Sequence, residues 1–117
     1  MAIENQISNF CTTLVAEKYK PLDDVVLVEL EISDKMKSWI KSPIIIDERE
    51  VKRELVKLRK GKILDLGKSQ RFISDDDVKV GVEVFFTNTD GDIMKHPERE
   101  VFYKFVEGCD LIAYIKE

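Results

Sequence analysis

The chain has 117 residues, 44% hydrophobic and 36% charged, which is the composition of one ordinary globular domain and too little for a nucleotide-binding domain joined to a substrate domain. Its net charge is −4 and its lysines are interspersed with acids rather than gathered into a stripe, which disfavours a nucleic-acid partner. No apolar run approaches the ~18 residues needed to cross a bilayer, and the first twenty residues lack a basic leader ahead of an apolar core, so the expectation is a cytoplasmic protein with no membrane contact.

Residues 1–19 read as an N-terminal extension in which Ile3, Ile7, Phe10 and Leu14 share one face of a short helix. The first strand is expected at residues 24–32, an apolar, β-branched run that ends in alternation at Leu30 and Ile32. Residues 33–61 lack a persistent pattern and carry the most distinctive feature of the chain, Ile44-Ile45-Ile46 directly after Pro43. Lys41, Asp47, Glu48, Arg49 and Glu50 keep this stretch solvated, so the triplet reads as an exposed anchor for a partner, with a buried strand as the alternative. Beyond it Val51, Leu55 and Leu58 sit at helical spacing, but the same stretch can equally enter a strand at Leu55, and the two readings stay open.

Lys62-Ile-Leu-Asp-Leu-Gly67 reads as a second strand stopped by glycine, followed by a polar, acidic hairpin or loop over 69–77. A third strand is expected over 78–86, with a bulge or corner at Gly81. Asp90-Gly91 signals a tight turn, and two last strands, 100–106 and 111–115, are split by Glu107-Gly108. Short strands with regular turn signals predict an all-β chain, a small antiparallel barrel.

No constellation of residues carries catalysis. Asp75-Asp76-Asp77 would point alternately to opposite sides of an extended segment and reads as a solvated turn rather than a metal site. Around Asp90-Gly91-Asp92 the calcium-loop spacing fails, because Phe86 and Pro97 fall at the first and twelfth ligand positions. His96, the only histidine, reads as a surface residue. Cys11 and Cys109 form no CxxC pair and read as reduced thiols, Cys109 packed near the last strand. The glycines form no phosphate-binding loop. The expectation is a protein that is not an enzyme and holds neither cofactor nor metal.

Four segments, in order, resemble the GroES family of co-chaperonins over about residues 20–117. They are Lys20-Pro-Leu-Asp-Asp-Val-Val-Leu-Val28, Arg59-Lys-Gly-Lys-Ile-Leu-Asp-Leu-Gly67, Val78-Lys-Val-Gly-Val-Glu-Val-Phe-Phe86 and Asp110-Leu-Ile-Ala-Tyr-Ile115. Val25 stands where many members carry arginine, and Val82 where aspartate is usual.

The resemblance implies a GroES-like antiparallel β-barrel at 20–117, with a long mobile loop at about 33–58 and a shortened roof segment at about 68–78. It also implies a seven-membered ring of identical subunits that caps a GroEL-type chaperonin and encloses client proteins, ATP being used by the chaperonin and not by this chain. Ile44, Ile45 and Ile46 match the aliphatic tripeptide of the family's mobile loop, which is disordered until it docks on the chaperonin. The closing strand, with Leu111, Ile112, Ala113, Tyr114 and Ile115, would pair with the first strand of the next subunit, with Leu22, Val25, Val26 and Leu27. The long loop, small roof and N-terminal extension are similar to co-chaperonins encoded by some bacteriophages and fit a divergent bacterial copy equally.

A competing reading is a free-standing barrel that binds a ligand or nucleic acid, with Phe72, Phe85, Phe86, Phe102, Tyr103 and Phe105 as stacking faces. The acidic balance argues against it, and strand alternation predicts that at least half of these rings are core. The related barrel of medium-chain alcohol dehydrogenases would require a dinucleotide-binding half and zinc ligands that this sequence lacks.

Overall fold

The segment from Val25 to Leu30 is apolar without strict alternation because both of its faces are buried. On one side Val26, Val28 and Leu30 enter the larger core with Ile63, Val84, Phe86, Phe102 and Val106. On the other, Leu27 packs with Ala16, Met94 and Tyr103 in a second, smaller core.

The computed structural model describes residues 11–41, 47–69, 78–87 and 92–115. Seven strands form one sheet: β1 (Thr12–Thr13), β2 (Val25–Leu30), β3 (Lys60–Leu66), β4 (Glu83–Phe86), β5 (Met94–Lys95), β6 (Phe102–Glu107) and β7 (Leu111–Tyr114). Their order is β1-β5-β6-β2-β3-β4-β7, antiparallel throughout except for the β1–β5 pair. This is the small all-β architecture expected from the turn spacing. The third strand is shorter than expected: it begins at Glu83, and the chain before it turns at Gly81, whose φ of +95° suits glycine. Gly61 has a different constraint. A Cβ there would collide with the Val28 side chain and the Glu29 carbonyl, so the close approach of β2 and β3 requires glycine.

Residues 33–58, expected as a loop, contain two helices in their described part, α1 (Asp34–Lys41) and α2 (Glu48–Leu55). Ser33 starts α1 by accepting the Met36 N–H on Oγ at 3.2 Å, and Asp47 caps α2 by accepting the Arg49 N–H at 2.8 Å. Met36 and Trp39 of α1, Val51 and Leu55 of α2, and Leu58 just beyond are all buried in the larger core. The open choice at 50–60 resolves as helix, with the strand beginning at Lys60.

The N-terminal extension is likewise part of the sheet in its described portion. β1 pairs with β5, and Ala16, in a short 3-10 turn over Ala16–Lys18, is fully buried. Leu14 follows β1 and lies in no helix. Ile3, Ile7, Phe10, Asp75-Asp76-Asp77, Asp90-Gly91 and the isoleucine triplet lie outside the described residues.

Candidate partner-binding edge and loop stems

β7 is the terminal strand of the sheet. One edge pairs with β4, Val84 opposite Tyr114 and Phe85 opposite Ala113, and the other carries no ladder among the described residues. Leu111 and Tyr114 turn inward against the larger core, while Ala113 is exposed and Ile112 and Ile115 are 56% and 57% exposed. The chain ahead of β2 adds Tyr19 at 54% and Leu22 at 76%. An open strand edge flanked by exposed large apolar side chains is a template for pairing with another chain.

The first strand offers no such edge within the single chain. Val25 to Glu29 pair with β6 on one side and Val26 to Leu30 with β3 on the other, so every ladder position of β2 is used within the chain. Val26 and Leu27 are buried and Val25 is half-buried; of the four first-strand residues only Leu22 is exposed. The chain over 19–22 belongs to no strand and is the part of this region with a surface to offer.

Ile44, Ile45 and Ile46 lie between α1 and α2, whose described residues hold the two stems together. Lys35 Nζ meets Glu50 Oε1 at 2.8 Å, and Ser33 Oγ donates to Glu54 Oε1 at 3.3 Å. Glu54 also accepts from Lys57 Nζ at 3.1 Å; this bond is the main reason its carboxyl sits below the usual value, against the opposing effect of burial. The backbone N–H of Arg49 does the same for Asp47, and the hydrogen bond to Glu50 raises Lys35. The Lys35 ammonium also stands over the Trp39 ring, 5.8 Å from its centroid.

The family model of the chaperonin 10 Kd subunit matches residues 18–115, nearly the whole of this sheet and both helices. The chain belongs to the chaperonin 10 Kd subunit family. It is therefore a co-chaperonin, a non-enzymatic regulator that oligomerises and works with a GroEL-type chaperonin. No curated protein matches it.

The remaining candidate residues of the co-chaperonin have structural roles. His96 is buried rather than on the surface, and its Nδ1 accepts the N–H groups of Glu98 and Arg99, each at 3.0 Å. Buried Lys95 donates to the carbonyls of His96 at 3.1 Å and Arg99 at 3.2 Å, so the two side chains fasten the 96–99 loop from inside. Neither role has a sequence signature, since both depend on how that loop folds back. Cys11 is half-buried, and burial pushes its thiol up to about 11, which keeps it unreactive. Cys109 is exposed, contrary to the packed position expected. Glu107, Cys109 and Asp110 bring one ligand atom each within 4.8 Å of one another, as exposed acidic groups commonly do without an ion.

The aromatic rings do not form a stacking platform. Phe86, Phe102 and Tyr103 are buried, Phe85 and Phe105 are half-buried, and Phe72 lies outside the described residues. Lys104 sets its ammonium 5.6 Å from the Phe86 centroid, inside the molecule. The Tyr103 hydroxyl is sealed from solvent without a hydrogen bond of good geometry, and burial, with Glu17 nearby, raises its phenol well above the ordinary value. No described helix is long and apolar enough to cross a membrane.

Proposed function

We propose that this co-chaperonin assembles into a seven-membered ring that caps a GroEL-type chaperonin and encloses client proteins, with Ile44, Ile45 and Ile46 of each subunit entering a groove on the chaperonin. The ring closes where the outer edge of β7, with Ile112 and Ile115, meets the segment carrying Tyr19 and Leu22 in the next subunit. The observation that carries this reading is the open β7 edge with its exposed isoleucines in a chain of the chaperonin 10 Kd subunit family. The chain itself takes no cofactor, ATP being the chaperonin's, and it works in the cytoplasm beside that partner.

The energetics favour many weak contacts over one strong one. Burying an isoleucine contributes ~1.5–3 kcal/mol, while fixing the backbone of one residue costs ~1–2 kcal/mol. One triplet therefore binds weakly. Several on one ring act at high effective concentration and bind firmly, yet a small change in each groove releases them all.

The test is the native mass of the purified protein, alone and after mixing with a GroEL-type chaperonin and ATP. A ring that joins the chaperonin only with nucleotide supports the reading, and a monomer that ignores the chaperonin sinks it. Ile45→Asp should leave the ring intact and abolish retention of a client in the chaperonin chamber; retention by the variant would remove the triplet from its role as anchor.

A further inference from the structure

We infer that residues 11–18 form a strap that guards the outer edge of β5 and opens as a unit while the rest of the sheet stays folded. The inference does not depend on how the ring closes or how the chaperonin is engaged.

The strap is held by shallow contacts. Thr12 and Thr13 of β1 are exposed, and of residues 11–18 Ala16 alone is buried, contributing no more than a methyl group to the second core beside Met94 and Tyr103. The Thr12 N–H donates to the Ile93 carbonyl at 3.1 Å and the Leu14 N–H to the Lys95 carbonyl at 3.0 Å, which pairs the strap with the β5 edge. Its far end is latched by Glu17 Oε2, which meets the Arg99 guanidinium at 3.0 Å. Both partners are exposed, and an ion pair in water stabilises little.

The parts on either side of the strap are fixed more firmly. Lys95 and His96 fasten the 96–99 loop that carries Arg99, so the latch can release without moving the loop. At the other end Lys20 Nζ donates to Asp65 Oδ1 and to the Leu66 carbonyl, each at 2.8 Å, which roots the chain on β3 and sets the hinge at exposed Tyr19.

What lies beneath the strap favours its release. The Tyr103 hydroxyl is fully buried and without a hydrogen bond, and Glu17 beside it gives its carboxylate to Arg99. A desolvated hydroxyl with no partner is a penalty of the closed state. Opening admits water to that hydroxyl and offsets part of the cost of uncovering Met94 and the Tyr103 ring. The uncovered β5 edge can then accept an extended segment of another chain by strand addition, which the closed strap prevents.

Hydrogen exchange of the intact protein, followed amide by amide at several urea concentrations below the unfolding transition, tests this. The Thr12 and Leu14 amides should exchange at least about tenfold faster than those of β2 and β6, with little dependence on urea, as local opening requires. Tyr103→Phe removes the unpartnered hydroxyl and should slow these two amides by about fivefold or more, whereas Arg99→Ala should speed them by up to about fivefold. Exchange of Thr12 and Leu14 with the rates and urea dependence of β2 and β6 would make the strap part of the global folding unit and overturn the inference. So would a Tyr103→Phe variant in which the two amides exchange unchanged or faster, since the hydroxyl would then be holding the strap down or playing no part.

Discussion

His96 and Lys95 act where the chain must turn back between β5 and β6, by giving polar backbone groups a partner inside the molecule. Removing the imidazole acceptor leaves the N–H groups of Glu98 and Arg99 without it. His96→Ala should therefore destabilise the protein by about 1–3 kcal/mol in urea unfolding, with His96→Asn recovering part of the loss. Three carboxylates tie stability to pH. Asp47, Glu54 and Asp65 are all held below their ordinary values of 3.8 or 4.5, by the Arg49 N–H, by Lys57 and by Lys20 respectively. A carboxyl whose folded value is depressed contributes stability that is present above the ordinary value and lost as the pH falls through the folded one. Unfolding midpoints should thus hold steady at neutral pH and fall below about pH 4. Lys57→Met should flatten that acid limb, and an unchanged limb would show that the Glu54–Lys57 contact is energetically silent.

At the scale of elements, each hydrophobic period is as long as the surface it must cover. Val51 and Leu55 of α2, with Leu58 just beyond it, sit at helical spacing that the sequence shows but does not separate from a strand entering at Leu55. α1 commits only Met36 and Trp39 among its described side chains, and a single i, i+3 pair is not a pattern. Nothing local marks it as more than loop; its seat in the core decides it. Trp39→Ala should cost about 3–5 kcal/mol, the usual penalty for emptying an aromatic site in a core, and should reduce the helical signal in circular dichroism. A loss below about 1 kcal/mol would mean that α1 contributes little to the core. The β2–β3 pair makes a comparable demand at Gly61, where Gly61→Ala must push apart two strands whose backbone and side chains already fill the space. That substitution should lower the urea midpoint substantially without altering the composition of the core.

For the molecule as a whole, the position of β7 at the end of the sheet leaves one of its edges without a ladder among the described residues. Ile112 and Ile115 are the cleanest probes because they are exposed in the subunit and do not hold the core. Ile112→Asp combined with Ile115→Asp should give a folded monomer by native mass and leave the urea midpoint of the subunit nearly unchanged. A ring that survives both substitutions would move the subunit contact elsewhere. Val26→Ala and Leu27→Ala, by contrast, should act on stability alone, since both side chains lie inside one subunit.

The sequence by itself determined the existence of the strands observed as β2, β3, β4, β6 and β7 and, through four ordered segments, the family. These are local properties: a strand's apolar run or a glycine at its end is written in adjacent residues. The tertiary structure alone decided that β2 pairs with β3 on one edge and β6 on the other, that β1 joins the sheet in parallel with β5, and that His96 faces inward. It also decided that residues 34–41 are a helix seated on the core. Each of these depends on residues far apart in the chain filling the same space, and one strand's periodicity tells which face is apolar but not which edges are already taken.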